Sequence, residues 1–134
     1  MEFLCDTNVI SEFLRKKSHP SARKWLDSQE RLNLSVICVE EIYYGLSSGT
    51  QAQQRLAWFE KLLTCRCQVL PITQEIATVA GQWRGQWRRQ GITCTQADLL
   101  IAATASIHHL VLVTRNTKDF KHCPIQVLNP FEPV

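Results

Sequence analysis

The sequence predicts an α/β protein with a mostly parallel central sheet of about five strands, flanked by helices. Short apolar runs typical of buried strands alternate with segments whose apolar residues recur at helical spacing. No linker, charge block or low-complexity tract divides the 134 residues, so we expect one domain over residues 1–134. The net charge of +3 is too small to argue for a particular partner.

The predicted strands are residues 3–5, 32–35, 67–70, 111–113 and 125–128. Strands that alternate with helices favour parallel pairing, and open parallel sheets bind ligands at the carboxyl ends of their strands. Asp6 follows the first strand, and the segment 114–116 follows the fourth. The sequence therefore places polar side chains where such a fold would hold a site.

Helical spacing accounts for the segments between the first three strands. Apolar residues at positions 10, 13 and 14 share one face of a first helix, and Pro20 interrupts the chain before a short helix through Leu26. Ser35 is the predicted N-cap of the helix that carries Glu41. Residues 50–53 fit a capping box, and an apolar face follows at positions 56, 59, 62 and 63.

The clearest helical stripe precedes the fourth strand, at positions 76, 79, 80, 83 and 87, with Gly91 as the predicted C-cap. Thr95 is the predicted N-cap of the next helix, which is apolar on every side from Leu99 onward and should therefore be buried.

Basic residues cluster at two places. In the helix with the apolar stripe at positions 76 to 87, we favour an amphipathic arrangement, with tryptophans 83 and 87 buried and arginines 84, 88 and 89 in solvent. The alternative is that these arginines form a face that contacts successive phosphates. Arg115 and Lys118 are better placed to contact phosphates, because they flank the acidic residues described next.

Four acidic residues lie where one sheet could gather them: Asp6, Glu41, Asp98 and Asp119. Buried carboxylates repel one another in a low dielectric, so a convergent set suggests a divalent cation. Hard ions such as Mg²⁺ take oxygen ligands and leave coordination positions open for phosphate. The set as a whole therefore predicts a metal site.

Each acid also has a plainer interpretation. Asp6 could cap the helix that follows it, and Asp98 fits a capping signature with Thr95. Asp119 could be a solvated residue in one helical turn. In the helix that carries Glu40 and Glu41, the apolar stripe leaves both glutamates off the core face. Periodicity therefore does not choose between the two.

The six cysteines mostly lie beside apolar residues, as expected for reduced, buried thiols. The alternative is a zinc site of Cys65, Cys67, His122 and Cys123, which lacks paired C-x-x-C spacing. The N-terminus has neither the basic region nor the long apolar run of a signal peptide, and no stretch is suited to spanning a membrane. We therefore expect a cytoplasmic protein.

Several function classes are disfavoured. The histidines form no Ser/His/Asp or Cys/His arrangement, and no Gly-rich phosphate loop is present. A receiver-type signalling domain would need an acid after its central strand, where Pro71 follows instead. A D-x-D phosphatase is disfavoured because position 8 is Asn.

Four short motifs follow one another along the chain: CDTNVISE at 5–12, SVICVEEIYYG at 35–45, ADLLIAATA at 97–105 and VTRNTKDF at 113–120. In this order, and over essentially the whole chain, they resemble the motifs of PIN-domain ribonucleases of the VapC toxin type. The resemblance implies a PIN fold and an endoribonuclease that uses Mg²⁺ or Mn²⁺. It implies hydrolysis of structured RNA, especially tRNA, to 5′-phosphate and 3′-hydroxyl ends, which would inhibit translation.

The resemblance also implies roles for individual residues. Asp6 and Asp98 are the expected metal ligands. Glu41, now favoured over Glu40, and Asp119 complete the expected catalytic acids and are further candidate ligands. The expected polar residues that orient these ligands are Thr7, Thr114 and Asn116, the last of which stands where some relatives carry an acid.

Partners are implied in the same way. The resemblance implies a homodimer and a cognate VapB-type antitoxin that covers the helical surface and blocks the acidic pocket. Phe13, Leu14 and Trp25 are the candidate contacts on the first helices. The remaining alternative is a PIN-like module that binds RNA without cutting it, and an activity assay would separate the two.

Overall fold

A computed structural model describes residues 2–132. Within that part of the chain, five parallel strands form one sheet in the order β3-β2-β1-β4-β5, and six α-helices flank it. The strands are β1 Phe3–Cys5, β2 Leu32–Ser35, β3 Cys67–Leu70, β4 Val111–Val113 and β5 Val127–Leu128. The helices are α1 Thr7–Ile10, α2 Pro20–Asp27, α3 Val36–Gly45, α4 Ala52–Arg66, α5 Gln74–Arg89 and α6 Gln96–Ile107, with 3₁₀ turns at Ser11–Leu14 and Thr117–Phe120. The predicted α/β class is confirmed.

The direction of strand order reverses at β1, which makes its carboxyl end the natural place for a site. β1 pairs with β2 on one side and with β4 on the other, and both pairings are parallel. The ladder continues past the strand ends, since the Asp6 amide donates to the Val113 carbonyl at 2.9 Å. The Thr114 amide donates to the Leu128 carbonyl at the same distance. Asp6 and Thr114 are therefore neighbours at one edge of the sheet.

Apolar side chains form one core on each face of the sheet. One core joins the inner faces of α5 and α6 to β4, and includes Ile76, Leu99 and Leu112. The other joins α1, α2 and α4 to β2, and includes Ile10 and Phe59. Helix α6 is buried from Ile101 through Ala105, as its uniformly apolar sequence predicts.

Several predicted helix ends are confirmed. The Ser35 hydroxyl accepts a hydrogen bond from the Ile37 amide at 3.1 Å, and the Thr95 hydroxyl accepts one from the Asp98 amide at 3.1 Å. Gly91 lies one residue beyond the C-cap of α5 with φ +77°, and the Ile92 amide donates to the Trp87 carbonyl at 2.9 Å. That pattern is the Schellman motif, in which a residue without a Cβ adopts the left-handed conformation at little cost.

Other local predictions need correction. The capping box at residues 50–53 does not form, because α4 begins one residue later, with Gln51 as an N-cap that makes no side-chain hydrogen bond. The fifth strand is limited to Val127–Leu128. The first helix changes to a 3₁₀ turn at Ser11. Within that turn, the buried Glu12 carboxylate accepts a hydrogen bond from the His19 amide at 2.6 Å and so shapes the following loop.

The apolar side chains proposed as exposed partner contacts are less exposed than the sequence suggested. Leu14 is only 5% exposed and belongs to the core, so its assignment to the surface is wrong. Phe13 is partly buried under the guanidinium groups of Arg23 and Arg66, and Trp25 packs edge-on against Phe3. Phe13 and Trp25 both pack against the core that includes Ile10 and Phe59.

The cysteines are free thiols, and four of the six are buried. The zinc alternative is not supported, because Cys67 belongs to the core on one face of the sheet and Cys123 to the core on the other. In residues 2–132 no helix is both long and apolar enough to cross a membrane.

Candidate active site

Asp6 is at once the N-cap of α1 and a buried carboxylate at the edge of the sheet. Its side chain is 6% exposed. One oxygen accepts a hydrogen bond from the Thr7 amide at 2.8 Å, and the other accepts one from the Thr114 hydroxyl at 2.8 Å. The carboxylate is therefore held between the end of β1 and the end of β4.

Asn8 and Thr114 complete this connection. The Asn8 amide nitrogen donates to the Asp6 carboxylate at 3.3 Å and to the Thr114 hydroxyl at 3.2 Å. Its carbonyl oxygen accepts from the Arg115 amide at 3.0 Å, and the Thr114 hydroxyl accepts from the Asn116 amide at 3.1 Å. Thr114 is fully buried, so these bonds fix the loop after β4 against the start of α1.

Glu41 joins the site from α3. The Thr7 hydroxyl donates to its carboxylate at 2.6 Å, while the neighbouring Glu40 is exposed. One turn earlier on the same helix, the buried Cys38 also faces the acids. One ligand atom each from Asp6, Cys38 and Glu41 lies within 4.8 Å of the others, and in residues 2–132 no other group of three such side chains does so. The structure thus separates Glu41 from Glu40, which periodicity did not.

Asp98 and Asp119 lie farther along the same acidic surface. Asp98 is half-buried in the first turn of α6, and Asp119 is exposed in the 3₁₀ turn after β4. Neither belongs to the 4.8 Å group. Their charges nevertheless connect the set electrostatically, because Asp98 acts on Asp6, and Asp119 and Glu41 act on Asp98.

Burial and mutual repulsion both work against ionisation of these carboxyl groups. Burial raises the pKa of Asp6, and the charges of Asp98 and Glu41 raise it further, against the lowering effect of the Thr114 and Thr7 hydrogen bonds. Burial also raises the pKa of Asp98, and the charges of Asp119 and Glu41 add to that rise. A cation among them would relieve this cost.

The donor set fits a hard divalent ion. Carboxylate oxygens from Asp6 and Glu41 are close together, and the charge of Asp98 acts on Asp6. Mg²⁺ takes such oxygen ligands and usually keeps several waters. Burial raises the pKa of the Cys38 thiol to about 12, so this neighbour adds no negative charge. The site residues therefore suit a metal that coordinates oxygen.

The predicted RNA contacts are at the surface beside these acids. Lys118 is exposed. Asn116, which was predicted to orient the ligands, is also exposed and donates to the Thr114 hydroxyl through its backbone amide. The Arg115 guanidinium lies over the Phe131 ring, 4.6 Å from its centroid. A cavity of about 310 Å³ is lined by Glu41 together with Arg15 and Arg55. Cationic side chains thus lie near Glu41 as well as next to Asp119.

Sequence reasoning missed Asn8 and Cys38 as members of the site. Asn8 belongs to the same Asp-Thr-Asn segment as Asp6, and its hydrogen bonds to the loop after β4 depend on strand pairing. Cys38 precedes Glu41 by three residues, a spacing that places both on one side of a helix. That spacing was the available signal, and the cysteine was instead grouped with the other buried thiols.

The family model of the PIN domain matches residues 3–125 of this chain. The chain therefore belongs to the PIN-domain family, and the resemblance drawn from its four motifs is confirmed.

Particular relatives are VapC-type ribonucleases and toxins. The VapC ribonuclease Y4jK of Sinorhizobium fredii is 32% identical, with 96% of each chain covered. The toxin FitB of Neisseria gonorrhoeae is 33% identical over 96% of this chain and 97% of its own length. The tRNA(fMet)-specific endonuclease VapC of Shigella flexneri is 28% identical over 90% of this chain and 91% of its own length.

Solved structures give the same grouping. The crystal structure of FitAcB from Neisseria gonorrhoeae matches with a TM-score of 0.85 at 33% identity, covering 98% of this chain and 99% of that one. A DNA-bound VapBC from Salmonella typhimurium matches with a TM-score of 0.81 at 29% identity, covering 97% and 98%. A toxin–antitoxin complex from Klebsiella pneumoniae matches with a TM-score of 0.77 at 26% identity, covering 98% and 100%.

The raised pKa of Asp6 predicts how stability depends on pH when no metal is bound. A folded-state pKa above the unfolded one means that the folded protein binds this proton more tightly. The free energy of unfolding should therefore fall as pH rises from the ordinary carboxyl pKa through the raised one. Asp6→Asn removes this titrating group. The free energy of unfolding of Asp6→Asn minus that of wild type should therefore increase across that pH interval and then level off.

Urea unfolding in EDTA between about pH 3 and pH 8 would measure the difference. Asp27→Asn is the control, because Asp27 forms an exposed ion pair with Arg23. Parallel pH profiles for wild type and Asp6→Asn would contradict the raised pKa.

Proposed function

We propose that this protein is a metal-dependent endoribonuclease, the toxin of a toxin–antitoxin pair, which cleaves structured RNA of the tRNA class and so inhibits translation. The observation that carries the proposal is the convergence of Asp6, Glu41 and Asp98 at the reversal point of a PIN-family sheet. The names of relatives support the reaction, and the tRNA(fMet)-specific endonuclease supports the substrate class. One domain over all 134 residues is part of the proposal.

Asp6 and Asp98 would hold Mg²⁺ or Mn²⁺, with Glu41 and Asp119 as further acids for ligation or for water. A bound divalent ion supplies charge stabilisation at the scissile phosphate and lowers the pKa of a water molecule. The residues of this chain provide its binding surface in a fixed orientation. Thr114 and Asn8 hold the Asp6 carboxylate, and Thr7 holds Glu41.

Glu41 is suited to receive the proton of the attacking water, because its second carboxylate oxygen is not engaged by Thr7. The water oxygen forms a bond to phosphorus while the bond from phosphorus to the 3′ oxygen breaks. The 3′ oxygen takes up a proton from solvent water, which gives 5′-phosphate and 3′-hydroxyl ends. Lys118 and Arg115 are exposed beside the acids and would contact neighbouring phosphates.

Purified tRNA should be cut into discrete fragments by wild type with Mg²⁺ or Mn²⁺, and EDTA should abolish the cutting. Asp6→Asn should lower the rate by about 100-fold or more, because the substitution removes a charge at the metal-binding surface. Denaturing gels of end-labelled tRNA would measure both rates.

The adjacent glutamates provide a matched control. Glu41→Gln should also lower cleavage by about 100-fold, whereas Glu40→Gln should change it by less than about twofold, because Glu40 is exposed. Cleavage that survives Asp6→Asn would identify a contaminating nuclease or a misplaced site. RNA binding without cleavage by wild type would favour the non-catalytic PIN-like module.

Metal binding should be measurable without RNA. Mg²⁺ or Mn²⁺ at 100 times its dissociation constant should stabilise the native state by about 2.7 kcal/mol, if the unfolded chain binds no metal. Asp98→Asn should remove most of the increase in melting temperature, and Asp119→Asn should remove less, because Asp119 is exposed. Thermal unfolding followed by circular dichroism would test both. A metal-induced increase unchanged in Asp98→Asn would place the ion elsewhere.

A cognate VapB-type antitoxin belongs to the same proposal and is supported by the solved toxin–antitoxin complexes of relatives. We also propose a homodimer of the toxin. Large apolar side chains remain exposed on α3 and α4, among them Tyr44 at 79% and Trp58 at 42%. Since α3 also carries Glu41, a partner seated on Tyr44 would cover the acidic site.

Coexpression with the neighbouring small open reading frame should yield a complex, and light scattering should give a dimer of the toxin. Tyr44→Ser should weaken the complex more than Tyr44→Phe, because only the serine variant loses the aromatic surface. Failure of the two chains to copurify would count against the antitoxin.

A further inference from the structure

A groove of about 570 Å³ runs between helix α5 and the segment that leads to α6. One wall is formed by Gly81, Arg84, Gly85 and Arg88, and the other by residues 92–94. None of these residues belongs to the acidic site described above. The groove is therefore a separate feature with a definite lining.

The groove results from the repeated tetrapeptide Gly-Gln-Trp-Arg at residues 81–84 and 85–88. A four-residue period on a helix places both glycines and both arginines along one side. The tryptophans point inward, where the Trp83 and Trp87 rings stack with centroids 5.6 Å apart. The opposite wall follows because Gly91, with φ +77°, turns the chain back along α5.

The two glycines leave the floor of the groove open. A Cβ atom built at Gly81 or at Gly85 meets nothing within 4 Å. Glycine lowers the stability of a helix interior relative to alanine, so packing does not account for either residue. Their effect on shape is to keep a trough between the arginine side chains and residues 92–94.

The groove is cationic and lacks an internal counterion. Arg84 and Arg88 are exposed and lie one helical turn apart, where like charges repel. Within residues 2–132, neither arginine forms an ion pair, and the groove lining contains no acidic side chain. An anion would satisfy both guanidinium groups, and a phosphate offers the acceptor geometry that arginine binds best.

One wall of the groove leads along the chain into helix α6, which carries Asp98. Cys94 lines the groove, and the charges of Asp98 and Asp119 act on its thiol. Thr95, the next residue, caps the helix that carries Asp98. A chain of phosphates lying against the arginines would therefore continue toward these acids.

We propose that this groove binds the phosphate backbone of the RNA substrate and directs it toward Asp98. The proposal rests on the ribonuclease function proposed above. RNA is favoured over a second copy of this chain, because a symmetric contact centred here would bring the arginines of both copies together. The contact is to phosphates and is therefore independent of base sequence.

The test measures RNA binding in the Asp6→Asn background, so that cleavage does not interfere. Fluorescence anisotropy with labelled tRNA would compare this protein with the same protein carrying Arg84→Gln and Arg88→Gln. Loss of two phosphate contacts should weaken binding about tenfold and reduce the slope of log K against log salt by about 1.5. Arg31→Gln with Lys61→Gln removes the same charge elsewhere and should leave the slope nearly unchanged.

A second pair of variants keeps the arginines. Gly85→Glu places a carboxylate in the open trough, whereas Gly85→Ala gives the helix a similar gain in propensity without charge. Gly85→Glu should weaken tRNA binding about tenfold, and Gly85→Ala should leave it within about twofold.

Equal effects of the groove and control charge variants on affinity and slope would overturn the proposal. A changed oligomeric state of the arginine variants with intact tRNA binding would overturn it too, and would make the face an interface between copies. Cleavage of tRNA by wild type, together with a salt slope that the arginine variants leave unchanged, would refute RNA binding by the groove and support the ribonuclease function. Binding changes as predicted for the groove variants, together with no cleavage by wild type, would support RNA binding by the groove and refute the ribonuclease function.

Discussion

The hydrogen bond from the Thr114 hydroxyl to the Asp6 carboxylate holds the two halves of this site together. It joins the ends of two strands that are far apart in sequence, and the fully buried Thr114 leaves no room for water to replace it. Asn8 extends the same network to the backbone of the following loop. Because burial and neighbouring charges oppose ionisation of Asp6, these donors are needed to keep a carboxylate at this position.

The caps of three helices lie at or near the residues of the acidic site. Asp6 is the N-cap of α1, and Asp98 lies in the first turn of α6 beneath its cap, Thr95. Ser35 caps α3 within the motif that carries Glu41. The plainer interpretation of Asp6 as a capping residue is correct and is compatible with a site. Asp98 takes part in capping through its backbone amide, which donates to the Thr95 hydroxyl. Because Asp98 lies in the first turn of α6, the positive end of that helix dipole favours its carboxylate.

The stripe helix α5 illustrates a similar coexistence. Its buried residues match the predicted apolar stripe, with Trp87 inside and the arginines in solvent. The amphipathic arrangement of α5 is therefore present, and it is compatible with the alternative, an arginine face that binds phosphates. The fold adds what periodicity does not contain, namely that Gly91 reverses the chain and makes a groove of the arginine face. The proposed path for RNA thus depends on a turn as much as on charge.

The sequence by itself determined the strands and most of the helix caps, because these follow from local periodicity and capping chemistry. It also predicted the acidic set from motif order. It did not determine the capping of α4, the surface assigned to Leu14 or the membership of Asn8 and Cys38 in the site. It also left Glu40 and Glu41 undecided until a family resemblance was considered. Only the tertiary structure decided these points, because each depends on which elements pack together. Strand order brings Asp6 to Thr114, and the docking of α3 against α1 turns Glu41 toward Thr7 while Glu40 remains in solvent.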